Sequence, residues 1–213
     1  MAMQTNVKPK NLTEALRWRS QFDLVPYMGG TDLMVNPDPA ARYLFLGDVK
    51  ELQYFYCDDK GIHIGAGMTF TRLLKEEDCP SLLRLAMQQI ASPAIRNKGS
   101  IGGNICNASP AGDTLPVLLI YDTELKIIGG TGERSVAMRN FILERKEIDL
   151  QADELLVGLT MKPKQFNHLY YHKIGSRRAM SISKIAFAGA ASVSEGHLLD
   201  IGIGLASMYK TPL

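Results

Sequence analysis

The chain has 213 residues, a formal net charge of +2 and 46% hydrophobic residues, which predicts a soluble globular protein with one substantial core or two small ones. No run of five like charges occurs, so we expect neither nucleic acid nor an anionic membrane as a partner. No apolar run could span a bilayer and the N-terminus lacks the apolar core of a signal peptide, so we expect a cytoplasmic location.

Cysteine and histidine spacing argues against a metal centre. Cys57, Cys79 and Cys106 are far apart and form no Cys-x-x-Cys pair, which disfavours a disulfide framework, a zinc site and an iron–sulfur site within this chain. His168 and His172 are four residues apart but have no acidic neighbours to complete a ligand set. We therefore expect no metal here, and an organic cofactor for any redox role.

Helices and strands alternate along the N-terminal half. Asn11 and Glu14 form a capping-box pattern that predicts a helix to about Arg19. Thr69 and Ser81 are the predicted N-caps of two further helices, over residues 70–76 and 82–90. Short apolar or alternating runs predict strands at residues 24–28, 43–46, 52–56 and 62–66, and later at residues 124–128, 133–138 and 155–161.

The composition changes near residue 165. Residues 170–178 are basic and aromatic, residues 182–193 are small and apolar, and residues 198–206 are a predicted strand. We predict one domain over residues 1–165, with subdomains of about 1–56 and 57–165, and the start of an incomplete second domain at 166–213. Because about 50 residues form too small a core, we expect further chain or a partner to cover it.

Two glycine-rich segments are the main functional signal. Gly29-Gly30-Thr31-Asp32 follows a predicted strand, and Gly99, Gly102 and Gly103 lie among Ser100, Asn104, Asn107 and Ser109. Closely spaced glycines allow consecutive backbone amides to face one anion. One such segment is as often a tight surface loop as a binding site, but two of them suggest a diphosphate held from two sides.

The second segment leads into a predicted helix at Pro116, and the polar residues around it have alternative interpretations. Asp113 either contacts ligand hydroxyls or caps that helix, and the sequence favours neither. Lys173, Arg177 and Arg178 either meet an anionic ligand or form a solvated basic face.

Patterns of other enzyme classes are missing from the sequence. The chain has no Gly-x-Gly-x-x-Gly fingerprint, no phosphate-binding loop of the Gly-x-x-x-x-Gly-Lys type and no nucleophile–base spacing. Cys106, inside the second segment, is more typical of a packing residue than of a nucleophile. Hydrolysis is therefore not favoured.

At these residues the chain resembles the flavin-binding subunit of the molybdenum hydroxylases, the family of xanthine dehydrogenase and carbon monoxide dehydrogenase. The family's Ala-Gly-Gly-Thr-Asp-Leu is matched from Met28 to Leu33, with Met28 at the small residue. Its central motif, Ile-Arg-Asn-x-Gly-Thr-Ile-Gly-Gly-Asn-Ile followed by Ala-Ser-Pro-x-x-Asp-x-x-Pro, is matched by residues 95–105, with Ser100 for Thr, and by residues 108–116. Its later Lys-x-x-x-Arg-Arg-x-Ala is matched from Lys173 to Ala179, where the alanine follows Arg178 directly. The three motifs occur in the family's order.

The resemblance implies an α+β fold of the vanillyl-alcohol-oxidase type, with two subdomains that hold an extended FAD and a third domain on the flavin side. Both glycine segments would bind the pyrophosphate through backbone amides, Asp113 would lie near the ribityl chain or the diphosphate, and Lys173 would lie near the isoalloxazine. Ile90 and Leu155 would line the flavin or adenine pocket. The implied cofactor-binding residues are Met28, Gly29, Gly30, Thr31, Asp32, Leu33, Ile90, Ser100, Ile101, Gly102, Gly103, Asn104, Ser109, Asp113, Leu155 and Lys173.

In that family, electrons pass from a molybdopterin subunit through the [2Fe-2S] clusters of another subunit to FAD and then to NAD or another acceptor. The resemblance thus implies an oxidoreductase flavoprotein subunit with no catalytic residue that touches the organic substrate. Two other hypotheses stay open at this point: a stand-alone flavin oxidase on the same fold, and a homologue without flavin that serves as an assembly piece.

Overall fold

The computed structural model describes residues 6–177 and 180–213, and it combines short helices with mostly antiparallel sheets, in agreement with the predicted α+β class. The helices are α1 (Leu12–Gln21), α2 (Phe70–Leu73), α3 (Ser81–Gln88), α4 (Pro93–Arg96), α5 (Ile101–Cys106), α6 (Leu115–Ile120) and α7 (Met138–Phe141), with a 3₁₀ turn at Lys50–Leu52. The strands are β1 (Val25–Tyr27), β2 (Tyr43–Phe45), β3 (Phe55–Asp58), β4 (Gly61–Gly65), β5 (Glu124–Gly129), β6 (Gly132–Ala137), β7 (Ile142–Glu144), β8 (Glu147–Ile148), β9 (Leu155–Met161), β10 (His168–Gly175), β11 (Ser183–Ser194) and β12 (His197–Ala206).

A small N-terminal unit consists of α1 and the parallel pair β1–β2. The Asn11 side chain accepts a hydrogen bond from the Glu14 amide at 2.8 Å, which confirms Asn11 as the N-cap. The Glu14 carboxylate accepts from the amide of Lys10 at 2.8 Å rather than from Asn11, so the box closes one residue earlier than predicted. The unit's buried cluster contains Leu24, Leu44 and Leu52, and it also includes Leu155 and Val157 from β9.

Strand β9 lies at the centre of a five-stranded antiparallel sheet of order β3-β4-β9-β5-β6. Its continuous apolar sequence correctly predicted the first and last residues of the strand. The first five residues of β9 are all buried, because the two core clusters cover opposite faces of the sheet. The hairpin from β5 to β6 is also confirmed. The predicted strand at residues 52–56 is wrong in its first half, because Leu52 ends the 3₁₀ turn and its carbonyl accepts from the Gly67 amide at 2.8 Å.

Helices α2, α3, α5 and α6 contribute to the buried cluster on one face of this sheet, whereas α1 belongs to the cluster on the other face. The Thr69 hydroxyl accepts from the Arg72 amide at 3.3 Å, which confirms Thr69 as the cap of α2. Ser81 is instead the first residue of α3, and Pro80 occupies the cap position without a side-chain hydrogen bond. The preset backbone of proline is compatible with such a start.

The second glycine segment is a helix and not the loop that its composition suggested. The Ser100 hydroxyl caps α5 by accepting from the Gly103 amide at 3.1 Å. Gly102 lies against the backbone of Ala66, where an added Cβ would lie 2.7 Å from the Ala66 carbonyl oxygen. Glycine is needed here because this helix packs unusually close to the end of β4.

The C-terminal strands form an antiparallel sheet of order β10-β11-β12. Its inner face packs on α6 so closely that a Cβ at Gly204 would lie 2.4 Å from the Pro116 carbonyl oxygen. Its inward alanines belong to the same buried cluster as the five-stranded sheet: Ala186, Ala188, Ala190 and Ala206. The sheet is therefore continuous with the core of the preceding region.

The outer face of this sheet carries exposed apolar side chains, among them Tyr170, Ile174, Ile201 and Ile203. The expectation that further chain or a partner covers this region stays a prediction, as do the domain boundaries near residues 56 and 165. Arg178 and Ala179, the end of the third motif, lie outside the described residues.

Candidate functional site

A cavity of about 610 Å³ lies between the N-terminal unit and the helices that cover the five-stranded sheet. This volume is within the range of small-molecule and cofactor sites. The structure brings most of the predicted site residues to its lining: Met28, Gly29, Gly30, Thr31, Asp32, Leu33, Ile90, Ser100, Gly102, Gly103, Asn104 and Leu155. Four others, Ile101, Ser109, Asp113 and Lys173, are not among its lining residues.

The first wall of the cavity is the turn of residues 29–33, which follows β1. Gly30 has a φ of +67°, in the left-handed region that favours glycine. At Gly29 an added Cβ would lie 2.0 Å from the carbonyl oxygen of Lys98, just before α5. The two glycine segments therefore meet in space, and Gly29 is required because the two backbones approach so closely.

The backbone amides of this first wall have no acceptor within residues 6–177 and 180–213. No hydrogen bond from the amides of residues 29–33 to a backbone or side-chain oxygen is present there, although Gly30 and Asp32 accept through their own carbonyls from Met34 and Val35. Consecutive amides without acceptors form an anion-binding concavity. The first wall therefore has the donors that a diphosphate needs.

The second wall, at the start of α5, uses its amides differently. The Ile101 amide donates to the Met68 carbonyl at 3.0 Å and the Gly102 amide to the Ala66 carbonyl at 2.9 Å. The next two amides donate to the cap residue Ser100. The Gly103 amide donates to the Ser100 hydroxyl and the Asn104 amide to the Ser100 carbonyl. The expectation of free amides in the second segment is therefore wrong for this structure, because they anchor the short helix to the sheet.

Apolar side chains complete the cavity. Leu52 and Leu155 are almost fully buried, and Phe70 and Ile90 are also buried; all four line the cavity. The chain thus offers an apolar surface suited to a ring system beside the donors of the first wall. Ile101 instead lies in the core, and the Ser109 hydroxyl accepts from the amide of Ala111 at 3.3 Å.

Three charged residues line the cavity in the described part of the chain: Arg19, Asp32 and Lys146. The Nε atom of Arg19 is buried and has no partner among the described residues, and burial lowers the pKa of its guanidinium. Sequence reasoning missed Arg19 and Lys146, because α1 and the β7–β8 turn carry no motif that connects them with the glycine segments.

Asp113 and Lys173 form a buried ion pair, 2.6 Å between Oδ2 and Nζ. The Ser183 hydroxyl donates to the other Asp113 oxygen at 2.5 Å, and Lys173 also donates to the carbonyl of Gln89 at 3.3 Å. Thr114, not Asp113, is the N-cap of α6, so the capping interpretation is wrong. The carboxylate instead connects the loop before α6 to the C-terminal sheet.

Tyr171 closes this buried cluster, since its hydroxyl donates to the Asp113 carbonyl oxygen at 3.2 Å. Burial, together with the Asp113 carboxylate, raises the pKa of Tyr171 well above its ordinary value. The neighbouring Arg177 donates to the Met180 carbonyl and not to this cluster. Lys173 is therefore a buried cation and not part of a solvated basic face.

Cys106 lines the cavity, and burial raises the pKa of its thiol to about 12. A thiol with such a pKa carries almost no thiolate near neutral pH, which agrees with its interpretation as a packing residue.

Within the described residues, no three His, Cys, Asp or Glu side chains form a metal-binding group. No helix in that part of the chain has the length and apolar character to cross a membrane.

The fold and this site define a domain for a cofactor that combines a diphosphate with an apolar ring system. Residues 2–161 match the family described as "FAD binding domain in molybdopterin dehydrogenase". The chain belongs to this family of FAD-binding domains, which confirms the resemblance, the FAD cofactor and the class of oxidoreductase flavoproteins of the xanthine and CO dehydrogenase type.

Two curated relatives and one solved structure illustrate the similarity. The xanthine dehydrogenase FAD-binding subunit of Escherichia coli O157:H7 is 30% identical over 196 residues, which cover 87% of this chain and 67% of that protein. The nicotinate dehydrogenase FAD-subunit of Eubacterium barkeri is 30% identical, with 88% and 68% covered. A reconstituted CO dehydrogenase from Oligotropha carboxidovorans shares the fold with a TM-score of 0.93 at 23% identity, with 100% of this chain and 77% of that chain covered.

The residues present fit FAD. The amides of the first wall lack acceptors, a side chain at Gly29 would fill the place where the two walls meet, and the buried Nε of Arg19 is a donor without a partner among the described residues. The remaining lining is mostly apolar. These features together suit a ligand with an anionic centre and a large ring system.

Proposed function

We propose that this chain holds FAD in the cavity within a molybdenum hydroxylase complex, and so connects a [2Fe-2S] subunit and a molybdopterin subunit to NAD or another electron acceptor. The observation that carries the proposal is the cavity itself, in which the amides of residues 29–33, without an acceptor in the described part of the chain, lie beside an apolar lining. The relatives' names, which describe FAD-binding subunits of dehydrogenases, support the role in electron transfer. A cytoplasmic location is part of this proposal.

Each part of the site has a separate task. Bound FAD supplies the redox chemistry, since the protein's part in such enzymes is to bind, orient and electrostatically tune the cofactor. The first wall binds the diphosphate through its amides. Ile90 and Leu155 pack against the rings and exclude water, while α5 fixes the width of the cavity through the Gly102–Ala66 contact.

The buried pair of Asp113 and Lys173 supports the site from behind the second wall, and neither residue is among the described residues of the cavity lining. The Thr114 hydroxyl donates to the Asn104 side chain at 2.5 Å, and Asn104 lines the cavity. The second wall is thereby connected to the loop that the C-terminal sheet anchors. We assign Asp113 and Lys173 to this support, in place of the direct cofactor contacts that the resemblance implied.

An FAD titration of the purified chain, followed by flavin absorption and then by dithionite reduction, tests the binding step. We expect saturable binding and bands that bleach on reduction. Absence of binding would contradict the proposal.

The electron-transfer step is tested by adding the [2Fe-2S] and molybdopterin subunits with their organic substrate under anaerobic conditions. Bleaching of the bound flavin, and its reversal by NAD or another acceptor, is expected, whereas an oxidised flavin throughout would contradict that step.

A further inference from the structure

The position of Lys146 beside the cavity is fixed by a backbone hydrogen bond, because the residue lies between two strands and not within a helix or strand. It lies in the turn between β7 and β8, with a φ of +65°. Its amide donates to the carbonyl of Ala108 at 3.1 Å, just after α5. Because this hydrogen bond connects the turn to the second wall, the root of the Lys146 side chain is fixed beside the cavity.

The Lys146 side chain extends from there to the first wall. Its Nζ lies 3.0 Å from the Asp32 carboxylate and also donates to the side-chain oxygen of Asn107. An ammonium has three N–H donors, and these two acceptors are its partners among the described residues, so one donor is left. The side chains of Lys146 and Asp32 are 51% and 59% exposed, and ion pairs at such exposure are weak and easily rearranged.

The charge distribution in the cavity shows why a cation is needed at this place. Asp32 belongs to the turn whose amides have no acceptor among residues 6–177 and 180–213, so an anion bound there lies beside a carboxylate. Like charges at short distance repel unless a cation compensates them. Of the two cationic lining residues, Arg19 is on α1 and one of its terminal N–H groups donates to the Leu24 carbonyl, whereas Lys146 contacts Asp32 of the first wall itself.

We propose that Lys146 is the cationic ligand of the cofactor's diphosphate, with its free N–H donor on a phosphate oxygen and its Asp32 contact shared or released on binding. The inference rests on the proposed function. It adds a binding residue from outside both glycine segments, and it makes diphosphate recognition depend on two segments 114 residues apart.

The test compares the wild type with Lys146→Met, which keeps side-chain length without charge, and with Lys146→Arg as the matched control. The dissociation constant for FAD is measured by flavin fluorescence between 50 and 500 mM NaCl, with riboflavin as the phosphate-free probe. We expect Lys146→Met to bind FAD about tenfold more weakly at low salt, as for loss of one charge-assisted hydrogen bond, with a smaller salt dependence than the wild type.

Lys146→Arg should stay within about threefold of the wild type, because it keeps the charge. Riboflavin binding and urea unfolding should be the same for wild type and Lys146→Met, which separates phosphate recognition from damage to the fold. If the wild type binds FAD and Lys146→Met has the same affinity and salt dependence, the inference is overturned and the proposed function stands. If the wild type does not bind FAD, both are overturned.

Discussion

The two walls of the cavity are both rich in glycine, but their backbone amides are used in opposite ways. Residues 29–33 form a turn whose amides have no acceptor in the described part of the chain, whereas the amides of residues 101–104 all donate within the protein. The first wall is therefore the one that we propose binds the ligand. The second wall is built for packing, and it positions its side chains by fixing a six-residue helix to the sheet.

This difference shows that glycine content alone does not identify a phosphate-binding segment. Gly29 and Gly102 are both required by close backbone approach, to Lys98 and Ala66 respectively. The amides of the turn, however, have no acceptor among the described residues, whereas the first amides of α5 donate to the carbonyls of Ala66 and Met68 and to the cap residue Ser100. The same distinction applies to the two lysine–aspartate pairs, since Lys146–Asp32 is half-exposed at the ligand wall and Lys173–Asp113 is buried behind the packing wall.

The largest effect on stability is expected at the buried pair. Asp113→Ala leaves the Lys173 ammonium, which is 7% exposed, without a counter-charge, so the free energy of unfolding should fall by about 3–5 kcal/mol. Asp32→Ala is the matched control, because its half-exposed pair should contribute less than about 1 kcal/mol. Urea denaturation followed by circular dichroism measures both. Equal losses for the two variants would contradict the different roles assigned to the pairs.

A smaller effect is expected within α5, where two adjacent glycines differ in their surroundings. A Cβ at Gly102 would lie 2.6 Å from the Ala66 Cβ, whereas at Gly103 the nearest neighbour is the Ser100 hydroxyl at 3.0 Å. We expect Gly102→Ala to lower the free energy of unfolding by about 1–3 kcal/mol through overpacking. Gly103→Ala should stay within about 1 kcal/mol of the wild type. Thermal unfolding decides, and a reversed order would show that α5 is not held against Ala66.

The smallest effect concerns pH and the cluster behind the second wall. The raised pKa of Tyr171 means that the folded protein keeps this proton when the unfolded chain loses it, near the ordinary value of 10.0. Stability from this group is complete below about pH 10 and falls as the pH rises further. Tyr171→Phe should lower the free energy of unfolding by about 1 kcal/mol at pH 8, and it should reduce the loss of stability between pH 8 and pH 10.5. Parallel urea-unfolding curves at pH 8 and pH 10.5 test this, and an unchanged decline would assign it to other groups.

The sequence predicted the strands better than the site. The apolar run of β9 and the glycine hairpin between β5 and β6 follow directly from local pattern. The helix α5 was missed because six residues with two glycines give no detectable 3.6-residue period. Most of the predicted site residues nevertheless line the cavity, because the family motifs fall on the two segments that meet at Gly29.

The remaining site residues could not be predicted for a physical reason. Lys146 reaches Asp32 across 114 residues and Ser183 reaches Asp113 across 70, and only the folded topology brings them together. Arg19 has the same difficulty, because at the end of an amphipathic helix a basic residue normally interacts with the helix dipole. Local sequence patterns contain no information about such contacts.

Hydrogen exchange of the chain with and without saturating FAD tests the contrast between the two walls most directly. Amides without acceptors exchange fast and are protected when a ligand accepts from them, whereas amides already bonded within the protein change little. We predict strong FAD-dependent protection at residues 29–33 and little change at residues 101–104. Protection confined to residues 101–104, with residues 29–33 still exchanging freely, would contradict the assignment of the diphosphate to the first wall.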